Sequence, residues 1–253
     1  MVRDKHRGKE HFIFDVNTKS ASHKKRVKKL ELGQIQQDRV KPLKQLMATN
    51  LIQKAVSNYS LGCSISDLNE DFISILDLIE ESWTEGARKL VGTKGIVLDQ
   101  YVIDGQIDLL RLLSIGFLIN ASNNFFQRLG GIIRNDNVVD LIFELILAAK
   151  LDTWEARAEP DSYAFKLYRK LKSAIIQEDK VKAEKLIKSF LEIDWLKEQK
   201  SAQMLTETEK DWYYGRWSFE SAAITCIKGL DDSSYRDHPY YPKDLADYYR
   251  ANH

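Results

Sequence analysis

The chain has 253 residues, of which 43% are hydrophobic and 30% charged, with 4 Pro, 12 Gly and 2 Cys. That composition describes a globular protein with a sizeable core and excludes a collagen-like, a low-complexity or a disulfide-stapled chain. Charge is unevenly placed: residues 1–45 hold 13 basic and 5 acidic side chains (+8), and residues 46–253 hold 25 and 32 (−7), so the body argues against a folded nucleic-acid binder and fits a partner with a basic surface.

The N-terminal MVRDKHRGKEHF has no apolar run of the signal-peptide kind. Residues 1–20 read as a helix or a partly ordered arm around His11-Phe12-Ile13-Phe14. The lysines from Lys24 to Lys29 read as the wet side of a helix whose apolar side is Val27, Leu30 and Ile35. Residues 38–60 predict a helix, with Val40, Leu43, Leu46, Met47, Leu51 and Val56 at three- and four-residue spacing. Gly62 suits its left-handed C-terminus.

A further helix is expected from Ser64 or Ser66, its stripe being Leu68, Phe72, Ile75, Leu76, Ile79 and Trp83. Gly92 and Gly95 frame a turn, and residues 98–119 predict a central, strongly apolar helix. Its run LLRLLSIGFLINA is too short for a membrane span and carries Arg111. Asp104 and Asp108 lie one turn apart and read as an exposed acidic edge rather than a metal site. A short helix with Phe125, Phe126 and Leu129 follows, loosened by Gly130-Gly131. Asn135-Asp136-Asn137 is expected to cap the next helix, VVDLIFELILAAK. Residues 151–200 read as a helical hairpin ending at Trp195.

The densest stretch is 211–245. Thr206 and Glu209 form a capping box, so a helix is expected from there to about Lys228, with Gly229 as its C-cap. Its faces carry Trp212, Tyr213, Trp217, Phe219 and Ile224, which predicts burial. Arg216 and Glu220, one turn apart, read as a partly buried ion pair before a catalytic pair. Asp231-Asp232-Ser233-Ser234 reads as a turn; with Asp237 and His238 it matches no metal-binding loop. Tyr240-Tyr241-Pro242 is expected to pack as an extended strap before a last helix, Lys243 to Arg250.

The elements predict an all-α fold, a multi-helix bundle of packed helical hairpins with no substantial sheet. Two regions, 1–150 and 151–253, are expected to form one compact unit. Cys63 and Cys226 read as buried small side chains. No HExxH, P-loop, GxSxG or Cys–His arrangement supports an enzyme, and no cofactor or metal is implied.

The C-terminal stretch resembles the signature of the PoNi family, immunity proteins of bacterial polymorphic toxin systems. The resemblance rests on Tyr213-Tyr214-Gly215-Arg216-Trp217-Ser218-Phe219-Glu220-Ser221-Ala222-Ala223, then Gly229-Leu230-Asp231-Asp232-Ser233-Ser234, Asp237 and Tyr240-Tyr241-Pro242. Ser221 stands where the family usually has Ala. Arg3-Asp4-Lys5, the run from Gln36 to Gly62, and Phe72 to Trp83 resemble its N-terminal region. The resemblance implies an all-helical cytoplasmic antitoxin, not an enzyme. Such a protein neutralises a cognate PoNe-type DNase delivered by type VI or related secretion. It implies a nuclease toxin as partner, with no direct nucleic acid and no membrane; a homodimer stays open. A helical adaptor without a toxin is the alternative. Discrimination between toxins needs contacts that vary, so the signature aromatics are expected in the core. The toxin face is expected at Asp67, Glu70, Asp71, Glu81, Glu85, Asp231, Asp232 and Asp237.

Overall fold

The computed structural model describes residues 1–69, 71–83, 88–160, 162, 165–197 and 213–253. These residues are predominantly helical, with one two-stranded sheet. They divide into two units: residues 1–89 with 213–215, and residues 90–197 with 216–253.

The first unit is built on three helices, α1 (Lys9–Glu31), α2 (Gln37–Leu61) and α3 (Phe72–Ser82). Both α1 and α3 pack on α2. Helix α2 buries Met47, Leu51, Ile52, Val56 and Tyr59, more than one face's worth, because it has a neighbour on each of two sides. Gly62 ends it at φ +92°, and a side chain there would run into the Met1 carbonyl. The expected stripe of α3 is buried in full, from Leu68 to Trp83. The segment that carries it is broken, however. Ile65–Asn69 forms a separate 3-10 turn, and α3 starts at Phe72 after Asp71. The exposed Lys24, Lys25, Lys28 and Lys29 line the wet side of α1.

The second unit begins within strand β1 (Lys89–Val91), which is followed by β2 (Val97–Tyr101). Its helices are α4 (Ile103–Leu118), α5 (Asn123–Asn135), α6 (Leu141–Lys150), α7 (Arg169–Ile176), α8 (Lys180–Ser189), α9 (Phe219–Lys228) and α10 (Lys243–Asn252). Every residue of α4 from Gly105 to Leu118 is buried, and α6, α9 and α10 pack around it. The expected helix over 98–119 is therefore half strand at its start. Residues 97–101 pair with β1, and only Tyr101 of them is buried. Asp108 lies in the core rather than on an exposed edge, while Asp104 faces solvent. The cap of α6 is Asp140, which accepts from the Ile142 and Phe143 N–H groups at 2.9 and 3.2 Å. Asn135–Asn137 instead closes α5. Gly130 does not loosen α5: a side chain there would lie 2.6 Å from the Trp154 ring, so the glycine admits the indole. The hairpin expected over 151–200 is present as α7 and α8. A π-helical turn, Phe190–Asp194, continues α8 toward Trp195.

Candidate functional site

The signature stretch begins with residues that are not helical. The expected capping box at Thr206–Glu209, and Trp212, lie outside the described residues. Residues 213–218 are irregular, and α9 starts only at Phe219. Gly215 sits at φ +128°, a conformation that a helix cannot use and that favours glycine. The Ser218 N–H, at the N-cap position of α9, donates to the Tyr240 carbonyl at 2.8 Å. That bond turns the backbone away from the helical path.

Within the first unit, residues 213–215 are tied to α1 and α2. The Tyr213 hydroxyl donates to Asp4 at 2.6 Å, and His11 Nε2 donates to the Tyr213 carbonyl at 2.6 Å. Ser60 Oγ donates to the Tyr214 carbonyl at 2.9 Å, and the Lys19 ammonium lies over the Tyr214 ring. Asp4 also accepts from the His6 and Arg7 backbone N–H groups, while Arg3 donates to the Tyr59 and Cys63 carbonyls. The N-terminal Arg3-Asp4 and the Tyr213-Tyr214 pair are thus parts of one arrangement, 209 residues apart at the Asp4–Tyr213 bond.

Within the second unit, Trp217, Phe219, Tyr240, Tyr241 and Pro242 are buried. The Arg216 carbonyl accepts from Trp195 Nε1 at 2.9 Å. Residues 233–241 form successive turns rather than the expected extended strap. Arg216 precedes α9, so helix spacing does not pair it with Glu220. Glu220 lies at the start of α9, 2% exposed, and accepts from Ser218 Oγ at 2.9 Å. Burial pushes its carboxyl up to about 7, against which its own N–H, Ser218 and the charge of Arg111 act.

The candidate acids fall into two groups. In the first unit Asp67 is exposed on the 3-10 turn, Asp71 pairs with Lys54 at 2.8 Å, and the exposed Glu81 pairs with Lys44. Beside Glu81 lies an open depression of about 400 Å3 lined by Gln37, Asp38, Val40, Lys41 and Lys44. Glu70 and Glu85 lie outside the described residues. In the second unit Asp231 is exposed and accepts from the Ser233 N–H at 3.0 Å; these Ser233 bonds hold its carboxyl below the usual range. Asp237 is exposed and pairs with Lys243 at 2.7 Å.

Asp232 differs from its neighbour. It is 3% exposed and accepts from Arg236, Arg250 and the Tyr241 hydroxyl at 3.0, 2.8 and 3.1 Å. A carboxylate held this way is an internal staple of the fold. In sequence it was indistinguishable from Asp231; the only signal was its i, i+4 relation to Arg236.

Among the described residues no three His, Cys, Asp or Glu side chains gather as a metal ion would require. Cys226 is half-buried, and burial pushes its thiol up to about 12, which removes thiolate reactivity. Burial lowers His238 below the usual histidine value. No described helix is long and apolar enough to cross a membrane.

Two family models match the chain. The N-terminal model of PoNe immunity protein (PoNi) covers residues 3–131, and the C-terminal model of PoNe immunity proteins covers residues 138–245. The chain belongs to the PoNe immunity protein family. Membership implies an immunity role with a PoNe toxin as partner. The PoNi fold seen here is similar to the crystal structure of protein PA2201 from Pseudomonas aeruginosa, with a TM-score of 0.71 and 17% identity over 99% of this chain and 91% of that one. No curated protein matches the PoNi chain.

Proposed function

We propose that the protein binds its cognate PoNe toxin, a nuclease, in a direct stoichiometric complex and sets acidic side chains against the toxin's DNA-binding surface. Family membership over both halves of the chain carries this reading. The charge balance supports it, with −7 over residues 46–253. A nuclease needs a basic surface for phosphates, and acids opposite it raise the association rate and exclude wrong partners. Asp67, Glu70, Asp71, Glu81, Glu85, Asp231 and Asp237 are the acids assigned to that face; the aromatics of the signature hold the fold. In this reading the protein acts in the cytoplasm, where an incoming nuclease of a competing bacterium meets DNA.

The test is co-purification with a PoNe toxin whose gene adjoins that of this protein, should one be found there, followed by a DNA-cleavage assay. A one-to-one complex and loss of cleavage at equimolar inhibitor are expected. Cleavage unaffected by excess protein would sink the proposal and favour a helical adaptor without a toxin partner.

A further inference from the structure

The exposed face of α3 joins an apolar side chain to acids in a way that the C-terminal acids do not. Ile73, Asp77 and Glu81 recur at four-residue spacing and so share one side of the helix. Phe72, Ile75, Leu76 and Ile79 are buried on the other side. Ile73 is 51% exposed, Asp77 is exposed, and the Glu81 side chain is 52% exposed. Residues 66–83 contain six acids and no Lys or Arg. Both acidic groups carry ion pairs, Glu81 and Asp71 to Lys44 and Lys54 of α2, and Asp237 and Asp247 to Lys243, Arg236 and Arg250; the C-terminal group, however, has no exposed large hydrophobic side chain among residues 213–253. Helix α1 displays Lys24, Lys25, Lys28 and Lys29 to solvent and repels a cationic partner.

We infer that α3 is the docking helix for the toxin, with Ile73 as its apolar anchor and Asp77 and Glu81 facing the cationic phosphate-binding surface of the nuclease. This rests on the function proposed above and names the surface that performs it. An exposed aliphatic side chain one helical turn from an exposed acid suits such an occupant. The anchor excludes water at the centre, and the charges steer encounter. The lysines of α1 set the approach, because a basic partner is turned from them toward α3.

The experiment measures association and dissociation rates against a catalytically inactive variant of the PoNe toxin that the co-purification identifies. Asp77→Lys/Glu81→Lys is expected to slow association at least tenfold at low salt. Ile73→Ala, which changes no charge, is expected to speed dissociation severalfold and leave the association rate close to wild type. Melting temperatures accompany each variant, and Glu81→Gln stands in if the double reversal fails to fold. Wild-type rates in both folded α3 variants would overturn the inference while leaving the inhibitor reading intact. A larger loss from Asp231→Lys/Asp237→Lys would also overturn it and move the docking surface to the C-terminal turns. No binding by the wild-type protein would remove both readings.

Discussion

Asp231 and Asp232 are neighbours in sequence and opposites in environment. The first is exposed and bonds Ser233; the second is buried beneath two arginines and a tyrosine. Removing one partner from a buried charge arrangement costs about 3–5 kcal/mol, since the others lose their compensation. Asp232→Ala is therefore expected to lower stability by about that much in chemical denaturation. The folded fraction should bind toxin as wild type does. Asp231→Ala should stay within about 1 kcal/mol of wild type, the range of an exposed hydrogen bond. The i, i+4 spacing to Arg236 is the one sequence pattern that separates these two acids; the rest of their difference is set by Arg250 and Tyr241, which arrive from later elements.

Glu220 adds a pH dependence with a definite sign. Its carboxyl ionises near 7 in the folded chain and near 4.5 otherwise. Between those values the folded state holds the proton that the unfolded state has released. Its contribution is therefore fully present below about 4.5 and is lost as pH rises through about 7. The shift corresponds to roughly 3 kcal/mol across that window. Glu220→Gln should be most stabilising relative to wild type at pH 8 and near neutral at pH 4.5. A melting-temperature difference that stays flat over that range would refute the assignment.

At the scale of elements, the sequence is legible where the deciding groups are local. The end of α2 at Gly62 and the buried stripe of α3 depend on residues within one or two turns of each other. The start of α9 depends on a carbonyl 22 residues away, that of Tyr240, and on the φ of Gly215. Aromatic spacing continues smoothly through 213–219, so periodicity alone extends the helix too far. Residues 97–101 misled for a related reason: a short apolar run reads equally as strand or helix.

The Gly130-Gly131 pair makes the distance dependence testable within α5. A methyl group on Gly130 would meet Trp154 at 2.6 Å, whereas one on Gly131 meets nothing within 4 Å. Gly130→Ala should cost about 1–3 kcal/mol by overpacking. Gly131→Ala should stabilise by about 0.5–1 kcal/mol through helix propensity. Two denaturation curves decide it, and equal effects at the two positions would contradict the packing described for Trp154.

For the whole molecule, the signature residues are structural in this chain: Trp217, Phe219, Tyr240 and Tyr241 are buried. The candidate acids are less uniform than the signature aromatics. Asp71 and Glu81 carry ion pairs to α2, Asp232 is internal, and Asp67, Asp231 and Asp237 are exposed. Function by charge complementarity predicts a kinetic signature that fold alone does not. Exposed charges act over a screening length of about 10 Å at 0.1 M salt and about 3 Å at 1 M. Steered association is therefore salt-sensitive, whereas dissociation from a packed anchor is much less so. Raising salt from about 0.05 to 0.5 M should slow association with the nuclease by more than about tenfold and change dissociation by less than about threefold. Stopped-flow and surface-binding measurements read the two rates separately. Association that ignores salt would show that the acidic body has no part in meeting the toxin, and would move the explanation of affinity to apolar contacts such as Ile73.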